Sequence, residues 1–277
     1  MFRFAAPLAF AATLAVAPLW AQGRDADKVD QLFDALGMPQ LIEIMREEGL
    51  AYGETLATDM LPGGRSAEWS MAVSAIYDVE MMTEEVRGVL GEALEGDDVD
   101  AMLAFFTSEQ GVRIVGLEIS ARRALLDDAV EEASKENAAI AMMDETPRFQ
   151  MVQDFIDAND LIEANVIGAL NSNYAFYTGL IDGGAMPAGI TLETALQDVW
   201  AQEPMVRADT IEWLFSFLLM AYQPLSDEEL EAYLAFSRSD AGQDMTNALF
   251  EAFNGMFDDI SRALGLASSR FMLTQEL

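Results

Sequence analysis

The chain has 277 residues, with 48 acidic against 15 basic side chains, a formal net charge of −33, no histidine and no cysteine. So few Lys and Arg cannot neutralise a phosphate backbone, which excludes nucleic acid and disfavours an anionic membrane face, and without imidazole or thiolate only carboxylate chemistry is left to an enzyme. Yet 52% of the residues are apolar, far above the share in a charged, unfolded polypeptide, so acidic faces over apolar cores are expected.

Met1-Phe2-Arg3 opens the chain, and Phe4 to Trp20 follow without a charge until Ala21-Gln22-Gly23-Arg24-Asp25 turns polar. A positive start, an apolar middle and a small residue before a polar stretch predict an export signal over residues 1–21. The cut is expected after Ala21, because the rival triplet Ala15-Val16-Ala17 is followed by Pro18. The apolar run is short and Pro-broken, so no transmembrane segment is expected in the mature chain. With no cysteine there is neither a lipid-anchored N-terminus nor a disulfide, and core packing alone must hold the fold. A periplasmic or secreted product follows, one unit more negative than the full chain once Arg3 is removed.

Beyond the signal the sequence repeats itself. Leu41-Ile42-Glu43, Thr58 and Gly63-Gly64 recur at one offset as Leu161-Ile162-Glu163, Thr178 and Gly183-Gly184. From Trp69, matched by Trp200, the offset is longer, which places an insertion in the second copy at the loop-like Ala185-Met186-Pro187-Ala188-Gly189-Ile190. At the longer offset Ala101, Leu103, Ala104, Phe105, Ser108 and Gly111 recur as Ala232, Leu234, Ala235, Phe236, Ser239 and Gly242, and Asp127-Asp128 as Asp258-Asp259. These matches predict two tandem homologous helical units of about 110 to 120 residues, a normal small-domain size. The first is expected over 22–144, the second over 145–265, with a tail over 266–277 and the boundary at Asp144-Glu145-Thr146-Pro147.

The expected fold class is all-α, a helical bundle. Val99, Met102, Leu103 and Phe106 fall at helical spacing, and Leu230, Tyr233, Leu234 and Ser237 repeat the stripe. Ser108-Glu109-Gln110-Gly111 and Ser239-Asp240-Ala241-Gly242 each set a capping Ser, an acid in the first turn and a Gly that permits close backbone approach. Long helices are expected after these corners, roughly Glu109 to Glu136 and Asp240 to Gly265. Ser226 with Glu229 reads as a capping box. Gly63-Gly64 and Gly183-Gly184 read as turns, because no phosphate-loop Lys follows.

The run Ala-Met-Leu-Ala-Phe-Phe-Thr-Ser-Glu-Gln-Gly at 101–111 resembles the bacterial envelope family called domain of unknown function 2059. Members often carry an aromatic, a Ser, a residue or two and a Gly at this corner, and Phe105, Phe106, Ser108 and Gly111 match. In the second copy Phe236, Ser239 and Gly242 match, while Ser237 and Arg238 replace the second aromatic and the small polar residue. The resemblance implies an all-helical exported domain and brings no catalytic residues.

Two groups of residues are candidates for a site. Asp127, Asp128, Asp258 and Asp259 could ligate a hard cation, but Arg123 and Arg262 stand four residues away, the spacing of ion pairs on a solvated helix face. Trp213, Phe215, Phe217, Leu218, Met220 and Tyr222 belong to a helix apolar on nearly every face, whereas its counterpart Met82 to Gly91 is amphipathic with Glu84, Glu85 and Arg87. Such a helix is either the centre of a bundle or a partner or lipid-like ligand surface. The 17 methionines fit both readings. The expectation is a non-catalytic binding or interaction protein, with no cofactor and no catalytic residue assigned, whose apolar groove between the two units takes a hydrophobic ligand or an envelope protein. The alternatives are a carboxylate hydrolase acting on an envelope polymer and a cation-binding structural protein.

Overall fold

Short polar side chains open most helices of this chain. Ser66, Asp78, Asp98, Ser108, Asp127, Thr146, Thr191 and Ser226 each accept a hydrogen bond from a first-turn backbone amide. They satisfy donors that have no partner within the helix, typically worth about 1 kcal/mol per cap. Ser226 and Glu229 form the expected reciprocal capping box.

The computed structural model describes residues 19–61, 63–187 and 189–274. The export signal expected over 1–21 therefore lies outside the described residues except for its last three positions. Among the described residues the protein is all-α, with thirteen helices and no strand. The first seven are α1 (Leu19–Ala35), α2 (Met38–Met60), α3 (Ala67–Ile76), α4 (Val79–Ala93), α5 (Val99–Phe106), α6 (Glu109–Ala124) and α7 (Asp128–Met143). The remaining six are α8 (Pro147–Ala158), α9 (Leu161–Asp182), α10 (Leu192–Trp200), α11 (Glu203–Tyr222), α12 (Asp227–Ser237) and α13 (Asp240–Thr274). None of the described helices is long and apolar enough to cross a membrane. Between α7 and α8, Glu145 takes a left-handed φ of 47°, Thr146 caps α8 and Pro147 fills its first position.

The pairing of helices in the first half recurs in the second. α1 packs on α4 and α5 as α8 packs on α11 and α12, and α2 packs on α3 and α4 as α9 packs on α10 and α11. Contacts between the halves are reciprocal, with α4 lying on α13 and α11 lying on α6 and α7. One apolar core runs through both, taking Leu32, Phe33, Val86, Met102 and Ile114 from the first and Leu214, Tyr222, Leu230 and Met256 from the second. Each such side chain contributes about 1.5–3 kcal/mol by leaving water, so this shared seam, rather than surface charge, joins the halves.

The two Ser-Gly corners have the same geometry. Ser108 Oγ accepts from the Gly111 amide at 3.1 Å and donates to the Phe105 carbonyl at 2.6 Å. Ser239 Oγ accepts from the Gly242 amide at 3.2 Å and donates to the Phe236 carbonyl at 2.6 Å. A Cβ at Gly111 would stand 2.2 Å from the Phe105 carbonyl oxygen, and one at Gly242 2.2 Å from that of Phe236. Backbone touches backbone at both corners, which only glycine permits.

After the corners the halves diverge. The helix expected over Glu109 to Glu136 is two helices, because the chain breaks at Leu125-Leu126-Asp127 and the Asp127 carboxylate caps α7 by accepting from the amides of Ala129 and Val130. The second helix instead runs unbroken for 35 residues, past the expected end at Gly265 and through most of the expected tail. Continuous packing explains the difference. α13 runs alongside α9 in the same direction, and a Cβ at Gly265 would stand 2.1 Å from the Phe176 carbonyl oxygen, so the two backbones support each other along their length.

Candidate functional site

The apolar segment Trp213 to Tyr222 forms the C-terminal half of α11, at the centre of the bundle. Phe215, Leu218 and Tyr222 are buried among the protein's own side chains, with Phe215 stacked on Phe149 at 4.9 Å. Trp213, Phe217 and Met220 are partly buried; Trp213 and Phe217 stack on each other at 5.2 Å, and the Arg122 guanidinium lies 5.7 Å from the Trp213 ring. Buried Ser134 Oγ donates to the Ser216 carbonyl at 2.8 Å, fastening α7 to this helix. Trp213, Phe217, Leu219 and Met220 retain partial access to solvent.

The same helix end holds an acid that sequence patterns do not mark. Glu118 on α6 accepts hydrogen bonds from Tyr222 of α11 at 2.6 Å and Tyr233 of α12 at 3.3 Å. Loss of solvent around the carboxyl raises its pKa to about 7, against the partial relief given by the two phenol donors. Burial likewise pushes both phenols well above their ordinary value, with the adjoining Glu118 charge as the second cause. The cluster joins the two halves, yet its members line neither of the clefts described below.

The aspartate pairs have separate roles. Asp127 is the cap of α7 and Asp128 is in that helix's first turn, whereas Asp258 and Asp259 sit inside α13. Asp258 accepts from Ser172 Oγ of α9 at 3.1 Å, and burial raises its pKa. The arginines four residues away reach across to neighbouring helices instead of along their own: Arg123 pairs with Glu47 of α2 at 3.7 Å and Arg262 with Asp182 of α9 at 2.6 Å. Glu85 of α4 is raised by burial and by the Asp259 charge. Among the described residues no three His, Cys, Asp or Glu groups converge as a metal site would require.

Two clefts among the described residues bear on binding. One, of about 240 Å³, lies between the halves, where Tyr52 and Met60 of α2 face Phe176, Tyr177 and Leu180 of α9 and Leu264 of α13, with Ser172, Asn173, Gln202 and Ser261 making its wall partly polar. The other, of about 450 Å³, lies within the second half between α9, α10 and α11, lined by Val166, Ile167, Leu170, Trp200, Ala201 and Pro204 with Glu163, Glu203 and Arg207 at its polar side. Arg207 is held there by Glu203 at 2.6 Å and by both Glu163 oxygens at 2.6 and 3.0 Å.

Trp200 and its first-half counterpart differ in burial. Trp69, its counterpart by sequence, is 1% exposed, donates its indole N–H to the Gly53 carbonyl at 2.7 Å and meets Phe271 edge-on at 5.4 Å. Trp200 is 57% exposed. On α10 it continues a line begun by Leu192 and Leu196, at i, i+4 and i+8, both also exposed. Ile167 and Met205 stand exposed on the helices at either side. The sequence signal was the insertion just before α10, which moves Trp200 to the helix's last position while Trp69 sits in the first turn of α3.

Residues 80–139, from α4 into α7, match the family model described as uncharacterized protein conserved in bacteria (DUF2059). The matched segment contains the Phe105-Ser108-Gly111 corner, and the second corner lies beyond it. No curated protein and no solved structure matches the chain.

Proposed function

We propose that this is an exported, non-catalytic binding protein that seats an apolar partner surface or hydrophobic ligand on the α9–α10–α11 cleft. Export is supported by the composition of residues 1–21, and binding by one observation above the rest: Trp200, in line with exposed Leu192 and Leu196, stands exposed in the lining of a cleft that buried Val166 and Leu170 and exposed Ile167 also line. A contiguous apolar patch in a chain otherwise rich in surface acids costs solubility, and such patches mark interaction sites. The C-terminal half of α11 supports the rigidity of this platform, because Phe215, Leu218 and Tyr222 are packed into the core, where α11 lies against α6, α7 and α8.

The test is native mass spectrometry of protein prepared from the cell envelope without detergent. A hydrophobic molecule or partner chain retained by the wild type and lost from Trp200→Gln is the expected result. Ligand-free protein that also fails to take up an apolar fluorescent dye at this cleft overturns the reading. For export, deletion of residues 1–21 is expected to leave the protein in the cytoplasm, and unchanged fractionation would refute that part.

A further inference from the structure

The two halves differ in what covers the short helix after each Gly-Gly turn. In the first half α3 is roofed by the C-terminal part of α13, where Phe271 meets Trp69. In the second half the corresponding roof would come from α7, but the chain turns off at Leu125-Leu126-Asp127 and α7 packs on α11 instead. Among the described residues α10 therefore packs broadly on α9 alone, and its Leu192, Leu196 and Trp200 line faces outward.

We propose that a basic amphipathic helix of a partner protein lies along this line, in the place that α13 occupies over α3. The proposal rests on the binding role given above and specifies the occupant. A line at i, i+4 and i+8 extends roughly 12 Å, enough for about two turns of a partner helix to lay one apolar face against it.

Charge selects among occupants. Glu193 and Asp198 flank the line on α10 and are exposed, and Glu163 and Glu203 border the cleft. The cation that lines the cleft, Arg207, is already bound by both glutamates, so the patch offers negative potential around an apolar strip. A second copy of this chain, itself at −33, and an anionic lipid face are both repelled, whereas Lys or Arg flanking an apolar helix face would be drawn in. The C-terminal helix of another copy is excluded on a further ground, since Phe271 is already engaged with Trp69.

The experiment titrates the full mature chain with two synthetic helical peptides of identical apolar face, one with lysine and one with glutamate at the polar positions, and with polylysine. The lysine peptide is expected to bind, to weaken in molar salt, and to lose about tenfold or more in affinity to Leu196→Gln/Trp200→Gln, since an exposed Trp anchor typically dominates such contacts. Both positions face solvent, so the variant's thermal unfolding should equal the wild type's. If the glutamate peptide binds equally well in a Trp200-dependent manner, the charge specification is overturned and the apolar binding role stands. Equal binding of the lysine peptide, or of polylysine, to wild type and variant assigns the interaction to diffuse charge and overturns the proposal. Failure of both peptides to bind overturns it as well, and the dye test above then decides the underlying binding role separately.

Discussion

Phe105 and Phe236 stack face to face, their ring centroids 4.3 Å apart and their planes 13° from parallel. Each supplies the carbonyl that its corner serine donates to, so residues in the same local position touch one another where the halves join. Phe106 meets both rings edge-on, and Tyr233 stacks on Phe105 with its centroid 5.6 Å away. Replacing either phenylalanine by alanine removes partly buried ring area and is expected to cost about 2–3 kcal/mol in urea unfolding. The double variant should cost less than the sum of the singles by about 1 kcal/mol, the typical coupling of an aromatic pair. Strict additivity would show that the stack contributes nothing beyond burial.

Glycine positions separate by what surrounds them. Gly111→Ala and Gly242→Ala drive a methyl into a carbonyl oxygen of the preceding helix, and each is expected to destabilise by about 1–3 kcal/mol. Gly116 and Gly255, in the same helices, have open space around the added methyl. Alanine there should stabilise by about 0.5–1 kcal/mol through helix propensity. Equal effects at the four positions would contradict the corner geometry.

Glu118 makes stability depend on pH. Its carboxyl titrates near 4.5 when free and at about 7 in the fold, so the protonated form is the one the fold favours. That contribution is fully present below pH 4.5, fades as the pH rises toward 7, and is absent above, a loss on the order of 3 kcal/mol. Glu118→Gln keeps an oxygen for Tyr222 and Tyr233 to donate to and cannot ionise. Its urea midpoint should match the wild type near pH 4.5 and exceed it at pH 8. A constant difference across that range would remove Glu118 as the source.

With 48 acids against 15 bases, the folded chain repels itself. Its melting temperature is expected to be lower in dilute buffer than in molar salt, where the screening length falls from about 30 Å at 0.01 M to about 3 Å. A melting temperature unchanged by salt would show that the acids are spaced too widely for self-repulsion to matter.

Local chemistry was the legible part of this sequence. Ser108, Ser226 and Ser239 cap helices as their neighbours predict, because a cap is decided within four residues. The stripe Leu230, Tyr233, Leu234 and Ser237 is buried for the same kind of reason, since periodicity exposes one face. Whatever depends on a distant helix was not legible. Arg123 and Arg262 have partners on their own helices by spacing, yet Glu47 and Asp182 approach from α2 and α9. Glu118 looks like one surface acid among many until Tyr222 and Tyr233 arrive from more than a hundred positions away. The match of Trp69 to Trp200 was visible, but the burial of one and the exposure of the other depend on where α7 and α13 run.

The 35-residue α13 also sets an order of events during synthesis. Its end supplies Phe271 to cover Trp69, residues separated by about two hundred positions, so the first half cannot close until α13 has been made. A chain that must wait for so distant a helix stays open while it is being made, with the apolar surface around Trp69 uncovered until α13 arrives.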